Sequence, residues 1–175
     1  MPVPPGVIIV CPLSHVPSLI LERRPSHLIT LLSPPEMIET PKGMRPERHL
    51  RVGVNDISEL TDGLVAPDTE MVERILAFGK GWSGASPLLI HCWAGISRST
   101  ATAYMLMCDH NPDTPETEIA QALRDASVHA TPNLRFVALA DELLGRGGRM
   151  LEAAKSIGQG EFAMESVPFD LPAKF

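Results

Sequence analysis

Pro87 to Thr100 reads PLLIHCWAGISRST. Its first part, Pro87 to His91, is a continuous apolar run of the kind that forms a strand buried within a parallel sheet. Its end opens a run of small side chains, Ser99 to Cys108 (STATAYMLMC), which predicts a helix buried on most sides. Between them lies a loop holding Cys92 and Arg98 in the spacing C-x5-R, with Gly95 in the middle. A buried strand, a tight loop and a helix N-terminus in succession make one βα unit of an α/β domain.

The loop also carries chemistry. A helix N-terminus offers unpaired backbone N–H groups and the positive end of a dipole, so a loop curling into it can cradle a phosphate dianion. Gly95 permits the positive φ that such a curl needs. The same field favours thiolate over thiol, and cysteines so placed have pKa values lowered to roughly 3.5 to 7.5, which makes Cys92 the expected nucleophile. Arg98 can present two parallel N–H bonds to phosphoryl oxygens, a fork that lysine cannot reproduce. Ser99 can hydrogen-bond the sulfur when it departs as a thiolate. His91 is expected to organise the loop backbone, because a thiolate already formed needs no general base. Trp93, Ala94, Gly95, Ile96 and Ser97 are expected to line the bound phosphate, with Trp93 either walling the pocket or packing under the loop. No metal or cofactor is expected; Cys108 and His110 alone do not make a metal site.

Upstream of this unit, Val7 to Cys11 reads as a strand and is followed by a helix that must end before Pro25. His27 to Leu32 and His49 to Val54 read as two more strands, with an irregular excursion over Glu36 to Arg48. Ala66-Pro67-Asp68-Thr69-Glu70 starts a helix whose stripe is Val72, Ile75, Leu76 and Phe78. Downstream, Thr114-Pro115-Glu116 starts a helix with Ile119, Ala120, Leu123 and Ala126 on one face. Pro132 to Leu144 predicts another, with Leu134, Val137, Ala138 and Leu143 buried, and Arg149 to Ile157 a last turn or two. The expected fold is α/β: a central, mostly parallel twisted sheet of about four or five strands flanked by helices, with a helical C-terminal third. Residues 1–158 are expected to form one domain. Residues 159–175 read as a tail, packed on the domain or partly flexible, with Phe162, Phe169 and Phe175 as candidate anchors.

Composition narrows the partners. The 175 residues carry 15 basic and 21 acidic side chains, a net charge of -6, which disfavours a broad electrostatic grip on nucleic acid or an anionic membrane. Any anion must be bound locally. With 44% hydrophobic and 21% charged residues the chain lies within the globular range. Three cysteines without C-x-x-C spacing suggest neither a disulfide scaffold nor a zinc site, and a cytoplasmic location is expected. The opening stretch has no basic region and is too short and Pro-interrupted for a signal peptide or a span. The oligomeric state is not legible.

HCWAGISRS resembles the signature of the cysteine-dependent protein tyrosine and dual-specificity phosphatases, with Cys92, Gly95, Arg98 and Ser99 matching residue by residue. The resemblance extends over most of residues 7 to 145, including Thr131-Pro132-Asn133, and is greatest to small bacterial tyrosine-phosphatase-like proteins. It implies the protein tyrosine phosphatase-like fold and a two-step hydrolysis through a phosphocysteine. It also implies an aspartic acid on a separate loop that protonates the leaving oxygen. Asp56, after the third strand, is the first candidate, because it should stand at the carboxyl edge of the sheet; Asp62 and Asp68 are the alternatives. Gly53 and Gly63 flank that segment and would let it move as a lid.

Lys42, Arg45, Arg48, His49 and Arg51 form the one basic concentration, read either as a solvated surface or as an attractor of phosphorylated substrate. No lysine stands among Trp93, Ala94, Ile96 and Ser97, which favours a singly phosphorylated substrate: a phosphotyrosine protein or a small aryl phosphate, with phosphoserine and phosphothreonine left open. Two other classes compete, a non-catalytic phosphate-binding module and a cysteine-loop sulfurtransferase. Cys11, expected at the edge that carries Cys92, is either a buried core residue or a redox partner for it.

Overall fold

A computed structural model of the chain describes residues 6–175. Five strands form one sheet: β1 (Val7–Pro12), β2 (His27–Leu32), β3 (His49–Gly53), β4 (Leu88–Cys92) and β5 (Phe169–Pro172), in the order β3-β2-β4-β1-β5. The first four are parallel, and β5 runs antiparallel along β1 at the edge. Among the described residues six α-helices accompany them: α1 (Val16–Arg23), α2 (Thr69–Lys80), α3 (Arg98–His110), α4 (Glu116–Ala126), α5 (Leu134–Leu143) and α6 (Arg149–Ser156).

Strand side chains alternate between two cores, as the pleat dictates. Ile8, Val10, Ile29, Leu88, Ile90 and Cys92 face the larger core, built with α2 to α6. Ile9, Cys11, Leu28 and Leu89 face the smaller one, closed by Val16, Leu19 and Ile20 of α1. Helix α3 is buried from Arg98 to Cys108. Its small residues let neighbours approach, and its hydroxyls find partners both inside and outside the helix: Thr102 Oγ1 donates to Arg98 O at 2.9 Å, and the Tyr104 hydroxyl to Met150 O at 2.9 Å. β4 lies between β1 and β2, so the end of β4 stands at the middle of the carboxyl edge, where α/β sheets place their ligands.

The α/β architecture agrees with the reading of the sequence, and four particulars differ. β5 has no counterpart among the strands expected from sequence: Pro168 and Pro172 punctuate it, and only an edge position tolerates such a strand. The segment is held down by Ser166, Leu171 and Ala173, each 3% exposed or less, whereas Phe162 is 87% and Phe175 44% exposed; of the three phenylalanines only Phe169 packs on the core. In α5 the buried face is Phe136, Val137 and Ala140, not Leu134 and Leu143, because the Asn133 side chain caps the first turn and sets the helix phase. The basic residues do not form one patch. His49 turns inward, Arg48 lines a hollow with Ser26, His27 and Phe78 at the edge where β2 and β3 begin, and that edge is opposite Cys92.

Candidate active site

Cys92 ends β4 and Arg98 begins α3, so the loop between them is clamped at both ends by regular structure. Every carbonyl along it is held from outside. Cys92 O accepts from His91 Nδ1 at 3.0 Å, and Trp93 O from the backbone N–H of Leu13 at 3.1 Å. Ala94 O accepts from Ser166 N–H at 2.8 Å and Gly95 O from Ser166 Oγ at 3.0 Å. Ile96 O takes Thr131 N–H at 2.9 Å and Thr100 Oγ1 at 2.6 Å; Ser97 O takes Asn133 N–H and Ala101 N–H, both at 3.1 Å. The peptide bonds are trans, so each carbonyl tied outward turns the N–H of the next residue the opposite way. The N–H groups from Trp93 to Arg98 therefore face the inside of the loop. One of them, from Gly95, already reaches Cys92 Sγ at 3.3 Å.

Gly95 is required twice over. Its φ is +70°, in the left-handed region, and a Cβ there would stand 2.5 Å from Ser166 Oγ and 2.7 Å from the carbonyl carbon of Cys11. Ser99 Oγ lies 3.1 Å from Cys92 Sγ, within the first turn of α3 and not at its cap, which is Ser97. The Arg98 guanidinium is 7% exposed; Nη1 donates to Val54 O at 2.9 Å, and the buried Nε–H has no acceptor in the protein. A buried donor without an acceptor is rare and points to a ligand that supplies one.

Asp56 is brought to the loop as expected. Its Oδ1 accepts from Ser97 Oγ at 2.7 Å and from Asn133 Nδ2 at 3.0 Å. Both donors land on one oxygen, Oδ1. Asn133 also donates to Ile57 O at 3.1 Å, fastening the segment that carries Asp56 to the cap of α5. Asp62 stands in an exposed turn, and Asp68 Oδ1 caps α2 by accepting from Met71 N–H at 2.9 Å, so neither shares this arrangement. A cavity of about 240 Å³ adjoins the loop, with Asp56, Ile96, Ser97, His129 and Phe162 among its walls. Trp93 stands 45% exposed at the rim rather than under the loop.

Behind the loop, on the face covered by α1, a polar chain crosses three strands. Thr40 Oγ1 lies 2.9 Å from His49 Nδ1, His49 Nε2 lies 2.8 Å from Thr30 Oγ1, and Thr30 Oγ1 lies 2.8 Å from His91 Nε2. The direction of every bond follows from the last one. Cys92 O can only accept, so His91 Nδ1 carries the proton and Nε2 of the neutral ring accepts from Thr30; Thr30 in turn accepts from His49 Nε2–H, and His49 Nδ1 accepts from Thr40. Burial pushes His91 down to about 4, opposed by its bond to Cys92 O and assisted by His49 and Arg98. Burial, with Arg51 beside it, pushes His49 down to about 4 as well.

This pair predicts acid sensitivity. Between about pH 4 and 6.5 the unfolded chain takes up protons that the folded chain refuses. Stability is therefore complete above about pH 6.5 and falls as pH drops through that window, by up to about 1.4 kcal/mol per pH unit for each histidine. Urea midpoints measured from pH 7 to 4.5 should show the decline, and His49→Gln should make it less steep. A midpoint constant over that range would refute the assignment.

Cys11, Cys92 and Cys108 are free, and all three are buried. Burial, reinforced by Cys92, pushes the Cys11 thiol far above its ordinary range, which leaves little thiolate to attack an oxidised sulfur. Among the described residues no three His, Cys, Asp or Glu side chains gather as for a metal ion, and no described helix is long and apolar enough to cross a membrane. Sequence reasoning missed three contributors. Asn133 stood in the motif without a role, and Thr30 and Ser166 carried no signal, since their partners lie on other strands or more than seventy residues away.

No protein-family model matches the chain, and no curated protein sequence matches it. Among solved structures the chain is similar to PTPMT1 in complex with PI(5)P, with a TM-score of 0.61 at 14% identity over 79% of this chain and 90% of that one. It is similar to DUSP15, with a TM-score of 0.57 at 19% identity over 87% and 90%. It is also similar to the PTP-2 phosphatase of Cydia pomonella, with a TM-score of 0.58 at 16% identity over 77% and 84%. The chain thus has the fold of the cysteine-dependent dual-specificity phosphatases.

Proposed function

We propose that the chain is a phosphomonoester hydrolase that works through a phosphocysteine on Cys92. The observation that carries this reading is the outward anchoring of every carbonyl from Cys92 to Ser97, which leaves a concave set of N–H donors around one sulfur. Such a set suits three equatorial phosphoryl oxygens, and the unpartnered Nε–H of Arg98 supplies a charged donor for the same group.

The chemistry divides into two displacements. Cys92 Sγ attacks phosphorus as a thiolate, forming the S–P bond while the ester P–O bond breaks, and Asp56 gives its proton to the departing oxygen. Water then attacks phosphorus, Asp56 takes a proton from it, and the S–P bond breaks with its electron pair returning to sulfur. Ser99 Oγ, 3.1 Å from Sγ, donates to the sulfur as it leaves. His91 holds the Cys92 carbonyl outward and so acts on the loop backbone.

The substrate class follows from what surrounds the phosphate. The loop side chains Trp93, Ala94, Ile96 and Ser97 are all uncharged, so they favour a singly phosphorylated group. The substrate proposed is phosphotyrosine in a protein, or a small aryl phosphate, with phosphoserine and phosphothreonine as further protein substrates. PTPMT1 was solved with a phosphoinositide, and that lipid headgroup belongs in the same assay as a second class. Three free, buried cysteines suit a reducing cytoplasm.

Turnover of p-nitrophenyl phosphate tests the reading. Activity should survive EDTA in full and be abolished by orthovanadate, and thiosulfate should give no sulfur transfer to cyanide. Phosphate binding without turnover would favour the binding module, and a rate lost in EDTA would remove the cysteine mechanism.

A further inference from the structure

The middle of the phosphate loop is its least constrained part. Cys92 and Trp93 are tied to β4 and to the segment after β1, while Ile96 and Ser97 are tied to α3 and to the segment before α5. Ala94 and Gly95 lie between these holds. The donors that take their two carbonyls come from one residue far along the chain, Ser166, whose backbone N–H reaches Ala94 O and whose hydroxyl reaches Gly95 O.

Ser166 has no freedom to do otherwise. It is 3% exposed and sits in a strap fastened on both sides of it. Upstream, Gly160 N–H donates to Thr131 Oγ1 at 3.0 Å and Glu161 N–H to Val128 O at 2.8 Å; the Glu165 carboxylate accepts from Ser14 Oγ at 3.0 Å. Downstream, β5 pairs with β1 from Phe169 to Pro172. The strap and the loop are also fitted sterically, since a Cβ on Gly95 would strike Ser166 Oγ.

We propose that Ser166 is a positioning residue for the phosphate loop: by holding the Ala94 and Gly95 carbonyls outward it keeps the Gly95 and Ile96 N–H groups turned toward the bound phosphoryl group. The proposal rests on the phosphatase reading. Its physical core is the freedom of Gly95: with the hydroxyl gone, the Gly95 carbonyl loses its donor, and the Gly95–Ile96 peptide can rotate about a residue that has no Cβ to resist. The Ile96 N–H then leaves the cradle. Loss of one preorganised donor to developing charge lowers turnover by about 10²-fold.

The test compares wild type, Ser166→Ala and Ile119→Ala, the last a core truncation in α4 remote from the loop. Ser166→Ala should lower kcat/KM for p-nitrophenyl phosphate by about 10²-fold and raise the orthovanadate inhibition constant in parallel. In amide NMR the Ile96 N–H should lose the shift that inorganic phosphate induces in wild type. Ile119→Ala should lower Tm at least as much and leave kcat/KM at 25 °C within about twofold, which separates positioning from stability. Should Ser166→Ala not fold, Ser166→Cys is read in the same way, because it keeps the volume and offers only a weak donor. A Ser166 variant within threefold of wild type, or one whose loss Ile119→Ala reproduces, overturns the proposal. A wild type that never turns over the ester overturns the phosphatase reading instead, and the Ile96 shift with phosphate then decides the role of Ser166 alone.

Discussion

Cys92→Ser is expected to lower turnover of p-nitrophenyl phosphate by about 10⁴-fold or more while phosphate binding and Tm stay close to wild type. The substitution exchanges one atom at a site that is 2% exposed, with nearly the same volume. The new oxygen can still accept from the Gly95 N–H and still faces Ser99 Oγ. None of the bonds that turn the loop carbonyls outward involves Sγ, and neither does the Arg98 bond to Val54 O, so the cradle persists. What disappears is the nucleophile. A serine hydroxyl keeps its proton at neutral pH, and no base stands ready to take it: both nitrogens of His91 are engaged, with Cys92 O and with Thr30. Steady-state rates, set beside calorimetric binding of inorganic phosphate by the same variant, measure both halves of the expectation. A residual rate above about 1% of wild type would mean that another group attacks phosphorus. Equal phosphate binding by two inactive proteins, wild type included, would instead describe a module that holds phosphate.

How much of this site can be read from the chain depends on the span of each interaction. The proposed nucleophile, its glycine and its arginine fall within Cys92 to Arg98, between a strand and a helix that each have a clear pattern, so their meeting is a local event. Asp56 is almost as legible, because a residue placed just after a parallel strand must emerge at the carboxyl edge whatever the strand order. The supports are another matter. The chain of Thr40, His49, Thr30 and His91 exists because β2 lies between β3 and β4, and strand order is a tertiary outcome that no single strand encodes. Ser166 is harder still. It lies in a stretch with no periodicity, between exposed Met164 and Val167, and its value comes from two carbonyls more than seventy positions away. The phase of α5 shows the same principle on a small scale: Leu134 has the right composition for a core residue, but the Asn133 cap fixes where the first turn begins and leaves Leu134 38% exposed. Apolar content states how much surface must be buried, while caps and long-range bonds decide which residues do it.

Asp56→Asn should divide substrates by their leaving groups. Tyrosine phenolate has a conjugate acid of pKa about 10, so expelling it without a proton is costly, and a positioned general acid contributes about 10²- to 10⁴-fold. The variant should lose a factor in that range on a phosphotyrosine peptide. With 2,4-dinitrophenyl phosphate, whose phenolate is a far weaker base and departs without assistance, the loss should be under about tenfold. The asparagine side chain keeps an oxygen where Oδ1 now accepts from Ser97 Oγ and Asn133 Nδ2, so the acid loop stays fastened and the change is confined to the proton. Asp62→Asn, in an exposed turn of the same loop, should leave both rates within about twofold, which controls for charge. Equal losses by Asp56→Asn on the two esters would show that Asp56 holds the loop in place without transferring a proton, and a loss at Asp62 that follows leaving-group pKa would move the acid there. Because the phosphate cradle is common to both substrates, a loss that follows leaving-group pKa reports proton delivery.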